Sequence, residues 1–335
     1  MASSSATRAR AVRFVAPYSV DLADVAVPEP TAGEVLIRAE FSGISGGTEM
    51  LAYRGELDSS IPRDETLGGL AGSFEYPFTY GYSAVGTVES SRTDLGEGDR
   101  VFAFHPHQTR FVASAADVVP IGDCDPRAAT LFPLVETALQ ISLDTGIRHR
   151  EVAAVVGLGP IGILAAILLA RSGAVVVGSD PKPWRRDVAE ACGLEAVEPE
   201  ELGDAVRATT RGRGADFIVE ATGNPEALAD SLGLLSPEGV AIVASWYGLK
   251  PVTLPLGAEF HRRRLEIRSS QVSTVGHRAV RWDRGRRLET TQTLLAELPL
   301  SLLASHTFPL ERAPEAYAAI HRGDVGVVHV ALAHS

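Results

Sequence analysis

At 335 residues the chain has the length of two ordinary domains. With 45% hydrophobic and 22% charged residues it can bury a sizeable core, which excludes a disordered scaffold. A formal net charge of -11 argues against nucleic acid and anionic membranes as partners, and two cysteines, Cys124 and Cys192, are too few for a disulfide framework or a thiolate zinc cluster.

Residues 1–10 (MASSSATRAR) lack the apolar core of a secretion signal and are expected to form a frayed terminus, with a clipped transit peptide as the alternative. No apolar run approaches the length of a bilayer span, so a cytoplasmic protein is expected. Segments 11–15, 22–27 and 34–41 alternate apolar and polar residues and read as antiparallel strands, with Pro28, Pro30 and Gly33 turning the chain between the last two. At 42–50 (SGISGGTEM) a strand ends in a glycine-rich loop carrying hydroxyls and one carboxylate. Gly68, Gly69 and Gly72 are expected to keep the next stretch flexible. Phe74, Tyr76, Phe78, Tyr80 and Tyr82 recur at a spacing of two, which puts them on one face of an extended segment, either as a cover for the core or as a wall of a cleft. Further strands are read at 81–88, 96–104, 111–114 and 118–121, with His105 and His107 in a polar cluster among them. Asp125 and Pro126 are an N-cap and a first helical residue, and the helix they start is expected to run towards Gly146 with a kink at Pro133.

The stretch 152–180 organises the chain. An apolar run at 152–156 suits a strand buried on both faces. It breaks at Gly157-Leu158-Gly159-Pro160-Ile161-Gly162, a G-x-G-x-x-G sequence, and an Ala/Leu-rich helix follows. A second buried strand then ends at Asp180. In this fingerprint Gly157 allows the tight turn, Gly159 lets a pyrophosphate approach the backbone, and Gly162 permits close packing of helix on strand. Asp180 would accept hydrogen bonds from a ribose 2′-hydroxyl and repel a 2′-phosphate, which favours NAD(H), while Lys182, Arg185 and Arg186 soften that choice and keep NADP(H) admissible. Gly157, Gly159, Pro160, Ile161, Gly162, Asp180, Arg185 and Thr222 are the candidate cofactor contacts.

Beyond Asp180, helices at 185–192, 201–209 and 226–235 alternate with strands at 215–222, 239–245 and 265–272, which predicts a doubly wound parallel sheet with ligands at the carboxyl ends of its strands. The tail carries helices at 289–298 and 313–321 and a strand at 325–332, and returns to the first domain. The expected division is 1–123 with 273–335 for the β-rich domain and 124–272 for the nucleotide-binding domain.

The loop GISGGTE, the segment GYSAVGTV, the run GDRVF, the glycine fingerprint and GADFIVEATGNPEAL together resemble the medium-chain dehydrogenase/reductase superfamily over nearly the whole chain. The layout looks most like its sorbitol and threonine dehydrogenases, and the loop is similar to that of bacteriochlorophyllide dehydrogenases. The resemblance implies an α/β fold, a Rossmann sheet plus a GroES-like domain completed by the tail, and a homodimer. It also exposes departures. Ser45 stands where zinc-dependent members carry a cysteine, Tyr82 and Ser83 where they carry His-Glu, and Phe132 where some carry a glutamate; the four-cysteine structural zinc lobe is missing. Hydroxyls are poor zinc ligands, so no zinc is expected.

Without zinc, proton handling falls to side chains. Thr48 and Glu49 resemble a Ser/Thr-Asp pair after the family cysteine, with Gly47 as an insertion; Thr48 could relay a proton, and Glu49 could do so or pin the loop. Tyr82 could point its hydroxyl into the cleft or fill the volume of the metal. His105 and His107 could act as acid–base groups or bond the backbone, and Glu136, one helical turn beyond Phe132, could reach the same face. Ser45, Thr48, Glu49, Tyr82, His105, His107 and Glu136 are therefore the candidate catalytic residues, whereas His261, His277 and His306 are left as surface or structural. The function expected is a zinc-independent, NAD(H)-dependent interconversion of a small-molecule secondary alcohol, polyol-like among others, and its ketone. Reduction of an activated C=C bond and a catalytically silent nucleotide-binding protein are the alternatives.

Overall fold

The structure is a computed structural model that describes residues 7–64, 70–276 and 279–334; Gly68, Gly69 and His277 lie outside them, as do the first six residues. In chain order the strands are β1 (Thr7–Ala16), β2 (Ser19–Val27), β3 (Glu34–Ile44), β4 (Phe78–Thr79), β5 (Ala84–Ser91), β6 (Arg100–Ala103), β7 (Arg110–Ser114), β8 (Val118–Pro120), β9 (Val152–Val156), β10 (Val175–Ser179), β11 (Glu195–Val197), β12 (Ala215–Glu220), β13 (Leu235–Val243), β14 (Glu266–Ser269), β15 (His306–Pro309) and β16 (Val330–Ala333). The helices are α1 (Thr48–Arg54), α2 (Pro126–Ala129), α3 (Phe132–Thr145), α4 (Pro160–Arg171), α5 (Pro183–Ala191), α6 (Pro199–Thr210), α7 (Pro225–Ser231), α8 (Arg284–Glu297), α9 (Leu300–Leu303) and α10 (Ala313–Arg322).

Two compact units result, residues 1–133 with 292–335 and residues 134–291. These limits differ from the expected 123/124 and 272/273, for physical reasons. Within the first unit α2 packs on β3 and β5. Within the second, the segment up to 291 is tied to α3 by the buried Arg287, whose guanidinium donates to Glu136 Oε1 at 3.0 Å and Gln140 Oε1 at 2.7 Å.

The first unit is β-rich. β2, β1 and β4 form one sheet, and β15-β16-β3-β5-β6-β8 form another with β7 paired to β3. β16 pairs antiparallel with β3, Val330 opposite Ile44, so the tail completes the sheet that carries the glycine-rich loop. Of the expected 325–332 strand only the second part forms, ending at Ala333. The aromatic segment forms no long strand; Phe74, Phe78 and Tyr80 are buried in the core with Phe14 and Tyr317, as a cover rather than a cleft wall. The expected single helix from Asp125 is two. Asp125 caps α2 by accepting from Arg127 N, the chain breaks at Thr130 and Leu131, and Pro133 sits in the first turn of α3, where its missing N–H costs nothing.

The second unit is a six-stranded parallel sheet in the order β11-β10-β9-β12-β13-β14. From β9 the chain winds outwards through β10 to β11, and from β12 in the opposite direction. The carboxyl ends of β9 and β12 are therefore the switch point at which an open α/β sheet receives a ligand.

Candidate functional sites

In the second unit, the turn from β9 to α4 is shaped by its glycines. Gly157 has φ +98°, and a Cβ on it would lie 2.8 Å from Thr222 Cγ2, so the turns after β9 and β12 touch. A Cβ on Gly162 would lie 1.8 Å from the Gly157 carbonyl oxygen, so only glycine lets the helix start this close. At Gly159 nothing stands nearer than Arg185 Nη1 at 4.0 Å, and its N-cap position has no side-chain cap. Pro160 opens the helix, Ile161 follows it partly exposed, and the free N–H groups of the first turn face an open, electropositive cradle that fits a pyrophosphate.

Asp180 is 2% exposed, and its carboxylate accepts from Leu158 N and Lys182 N, both at 2.9 Å, and from Arg185 Nη1 at 3.2 Å. A carboxylate has about four lone-pair directions, so one remains for a ribose hydroxyl. The pairing of Arg185 with Asp180 was not foreseen, and it lowers the negative charge that would turn away a 2′-phosphate. Thr222 is exposed beyond β12 and donates its hydroxyl to Glu220 Oε1 at 2.6 Å.

In the first unit the glycine-rich loop becomes chemistry through one buried carboxylate. β3 ends at Ile44, and α1 starts at Thr48, so Glu49 lies in the first turn of a helix rather than in a loop. Glu49 is fully buried. Its Oε1 accepts from Ser45 N at 2.8 Å, and its Oε2 meets Tyr317 OH at 2.6 Å and His107 Nε2 at 2.8 Å. His107 is likewise fully buried; its Nδ1 meets Ser42 Oγ at 2.7 Å, which in turn meets His334 Nε2 at 2.8 Å. Gly81 makes room for the imidazole, since a Cβ there would lie 2.7 Å from it. Glu49 thus holds the backbone at Ser45, and His107 is its buried partner.

Tyr82 comes between β4 and β5, and the side chains of Ser45 and Thr48 lie beside its hydroxyl and favour its ionised form. Burial, followed by the negative charge of Glu49, pushes the phenol up to about 12, so it is a neutral donor across the physiological range. The other two histidine and carboxylate candidates are committed elsewhere. His105 stacks on Phe111 with centroids 3.9 Å apart, places its Nδ1 3.0 Å from the Pro106 carbonyl, and is pushed down to about 4 by burial. Glu136, which could have reached the same face as Phe132, is 4% exposed and held in the ion pair with Arg287. Its carboxyl is raised, by burial above all. His261 is exposed, and His306 bonds Ser305 Oγ.

The donor set does not fit a zinc ion. Ser45 and Tyr82 offer neutral hydroxyls where thiolate and imidazole would be needed, and Phe132 is fully buried, stacked on Phe102 with centroids 4.3 Å apart. Among the described residues no cluster of three or more His, Cys, Asp or Glu is arranged to hold a metal ion.

Residues 160–283 match the zinc-binding dehydrogenase family model. The 2-desacetyl-2-hydroxyethyl bacteriochlorophyllide A dehydrogenase of Cereibacter sphaeroides is 30% identical over 334 residues, covering 93% of this chain and 94% of that protein. The chain belongs to the medium-chain dehydrogenase/reductase superfamily. It is an oxidoreductase of that superfamily. The D-guloside 3-dehydrogenase of Escherichia coli is also 30% identical, over 290 residues and 79% of this chain and 81% of that one. The 2R,3R-butanediol dehydrogenase of Bacillus subtilis shares the fold, with a TM-score of 0.80 at 18% identity over 98% of this chain and 100% of that one. Among the described residues no helix is long and apolar enough to cross a membrane.

Tyr317, Ser42 and His334 escaped the reading of the sequence. No motif marks them, and only the fold brings them to Glu49 and His107.

Proposed function

We propose that this dehydrogenase interconverts a secondary alcohol and its ketone with NAD(H), NADP(H) being admissible, and that it does so without a metal. The observation that carries this reading is the buried Glu49 that holds the loop at Ser45, with the protonated Tyr82 phenol beside the Ser45 and Thr48 side chains. The two curated relatives, which act on a hydroxyethyl bacteriochlorophyllide and on a guloside by their names, support an alcohol substrate, and polyol-like compounds are among the candidates.

The nicotinamide, when bound, supplies or accepts the hydride. Gly157, Gly159 and Gly162 shape the cradle for its pyrophosphate, and Asp180 with Arg185 holds the adenosine ribose. Tyr82, kept protonated, donates a hydrogen bond to the carbonyl oxygen and gives up its proton as the oxygen gains charge. Ser45 and Thr48 fix the direction of the phenol and carry the replacement proton. Glu49 touches no substrate; it positions Ser45.

The decisive experiment combines turnover with elemental analysis. Protein purified without added metal is assayed against panels of secondary alcohols, polyols and ketones. Turnover with far less than one zinc per chain is expected, and turnover that tracks a stoichiometric zinc overturns the metal-free reading. Replacement of Asp180 by Ala should weaken NADH and improve relative NADPH binding; an unchanged ratio removes Asp180 from cofactor selection. The reading includes a homodimer in the cytoplasm, for which Trp246, Leu249, Val252 and Leu256 offer exposed apolar surface; sedimentation checks it.

A further inference from the structure

The stretch 278–287 (RAVRWDRGRR) holds five arginines and one aspartate, in a chain whose formal net charge is -11. Part of it lines a cleft of about 620 Å³ in the second unit, a volume that suits a small molecule. Leu143 and Ile147 give the cleft an apolar side, while Ser142, Arg281, Trp282 and Arg286 bring a hydroxyl, two cations and an indole. The cleft is not the cofactor crevice. Ile147 comes before β9 and the lining residue Ser172 before β10, towards the amino ends of those strands. Gly157 and Asp180 follow the same strands at their carboxyl ends, where an open sheet receives its dinucleotide.

The cations of the cleft are uncommitted. Elsewhere in this unit Arg185, Arg186, Arg213 and Arg287 each pair with a carboxylate. Arg281 and Arg286 are both exposed, and neither guanidinium pairs with a carboxylate among the described residues. Arg286 is held over the Trp282 ring, its Cζ 4.3 Å from the centroid, by donating from Nη1 to the Arg281 carbonyl oxygen at 2.8 Å. The acid of the stretch, Asp283, accepts from Arg286 N at 2.8 Å at the start of α8. Asp144 on α3 is buried and accepts from Gln140 Nε2 at 2.9 Å and Ser270 Oγ at 2.7 Å. Ser142 Oγ meets Ser172 Oγ at 3.4 Å, a long contact that a better acceptor displaces. Two guanidinium forks with no carboxylate between them match the oxygens of a phosphate, which carries about -1.5 to -2 charge at neutral pH. The indole and the apolar side match a ring.

We propose that this cleft binds an aromatic phosphate monoester. Arg281 and Arg286 take the phosphate with Ser142 as a further donor, and the ring rests among Trp282, Leu143 and Ile147. Such a ligand ties α3 to the start of α8 and stabilises the second unit without occupying the dinucleotide crevice.

The test uses the full chain, phenyl phosphate as the probe, and calorimetry with and without saturating NADH. One phenyl phosphate per chain should bind with a Kd on the order of 0.1–1 mM whether or not NADH is present, and inorganic phosphate should bind about tenfold more weakly. Arg281→Glu should weaken phenyl phosphate by about tenfold or more, in line with loss of a charge-assisted hydrogen bond. Trp282→Ala should bring phenyl phosphate down to the affinity of inorganic phosphate. An unchanged urea midpoint, read by tryptophan fluorescence for Arg281→Glu and by far-ultraviolet circular dichroism for Trp282→Ala, shows that each variant is folded. No binding to the wild-type chain overturns the proposal, as does the same phenyl phosphate Kd in wild type and Arg281→Glu. A binding signal that NADH abolishes belongs to the glycine cradle and overturns it too. Equal affinity of the wild-type chain for phenyl phosphate and inorganic phosphate refutes the place given to the ring.

Discussion

Substitution of Glu49 by Gln isolates the buried network of the first unit, because the two side chains have the same shape and differ only in what they can accept. Three donors converge on the carboxylate: Ser45 N–H, Tyr317 O–H and His107 Nε2–H. With the amide oxygen towards Tyr317 and His107, the new NH₂ faces Ser45 N–H, and a buried backbone donor is orphaned. With the amide turned over, its NH₂ points at Tyr317 and His107. His107 can then accept at Nε2 only by moving its proton to Nδ1, so that Ser42 Oγ accepts from His107 and donates to His334 Nε2. His334 must carry its own proton on Nδ1, a buried nitrogen with no partner. Either way one donor is left unsatisfied inside the protein, at about 1–3 kcal/mol, and the remaining bonds lose their charge-assisted strength. A total of about 2–4 kcal/mol is expected, a large share of the roughly 5–15 kcal/mol that holds a domain folded.

The aromatic residues make the loss measurable unit by unit. All three tryptophans, Trp184, Trp246 and Trp282, lie in the second unit, whereas every tyrosine except Tyr247 lies in the first. Near-ultraviolet circular dichroism of the tyrosines should show a urea midpoint lower by about 1 M in Glu49→Gln, with tryptophan fluorescence reporting the second unit for comparison. A tyrosine-reported midpoint within about 0.2 M of wild type would show that the carboxylate is not what holds the network together.

Other substitutions probe the remaining claims. Tyr82→Phe should lower kcat by about 100-fold with KM changed only slightly, and a wild-type pH–rate profile should show no limb from the phenol until pH approaches about 12; equal kcat in the variant excludes Tyr82 as the donor. Arg287→Met should destabilise the tryptophan-reported transition by about 3–5 kcal/mol by stranding the Glu136 carboxylate, and adding Glu136→Met should recover most of it; no recovery shows that the pair is not the cause. Acid should unfold the first unit early. Burial pushes His329 and His334 down to about 3 and His105 to about 4, below the usual value of 6.5, so the unfolded chain binds protons that the folded one refuses. Stability from these groups is full above pH about 6.5 and falls with pH towards 3, by about 1.4 kcal/mol per unit for the fully buried His329 alone, with His334 and His105 acting in the same direction. The raised carboxyl of Glu136 opposes this in the second unit. A tyrosine-reported stability that is flat between pH 6 and 4 contradicts the burial of these rings.

What was legible in the sequence is what is local. The strand alternation at 11–41, the glycine turn and its acid located β1 to β3 and the β9–β10 unit to within a few residues, because periodicity and left-handed turns act over short spans. Helix α1 was hidden behind Gly46 and Gly47, which read as loop although Gly47 serves as its N-cap. The partners of Glu49 were illegible for a different reason. His107 is 58 residues away and Tyr317 is 268 away, and a single buried hydrogen bond leaves no pattern along the chain. For Glu136 its place on a helix was visible, but not Arg287, 151 residues on, which pairs with its carboxylate.

The exchange of metal ligands for hydroxyls also has a directional consequence within the proposed mechanism. A zinc ion stabilises an alkoxide by several kcal/mol and so serves alcohol oxidation and ketone reduction alike. A phenol held at about 12 by burial and by Glu49 is a donor at neutral pH and only rarely a base. It therefore helps a carbonyl oxygen that is gaining charge, while oxidation has to wait for the small fraction of ionised phenol, which grows tenfold with each pH unit. The same buried carboxylate that orders the loop thus biases the phenol towards ketone reduction near neutrality and towards alcohol oxidation only in alkali.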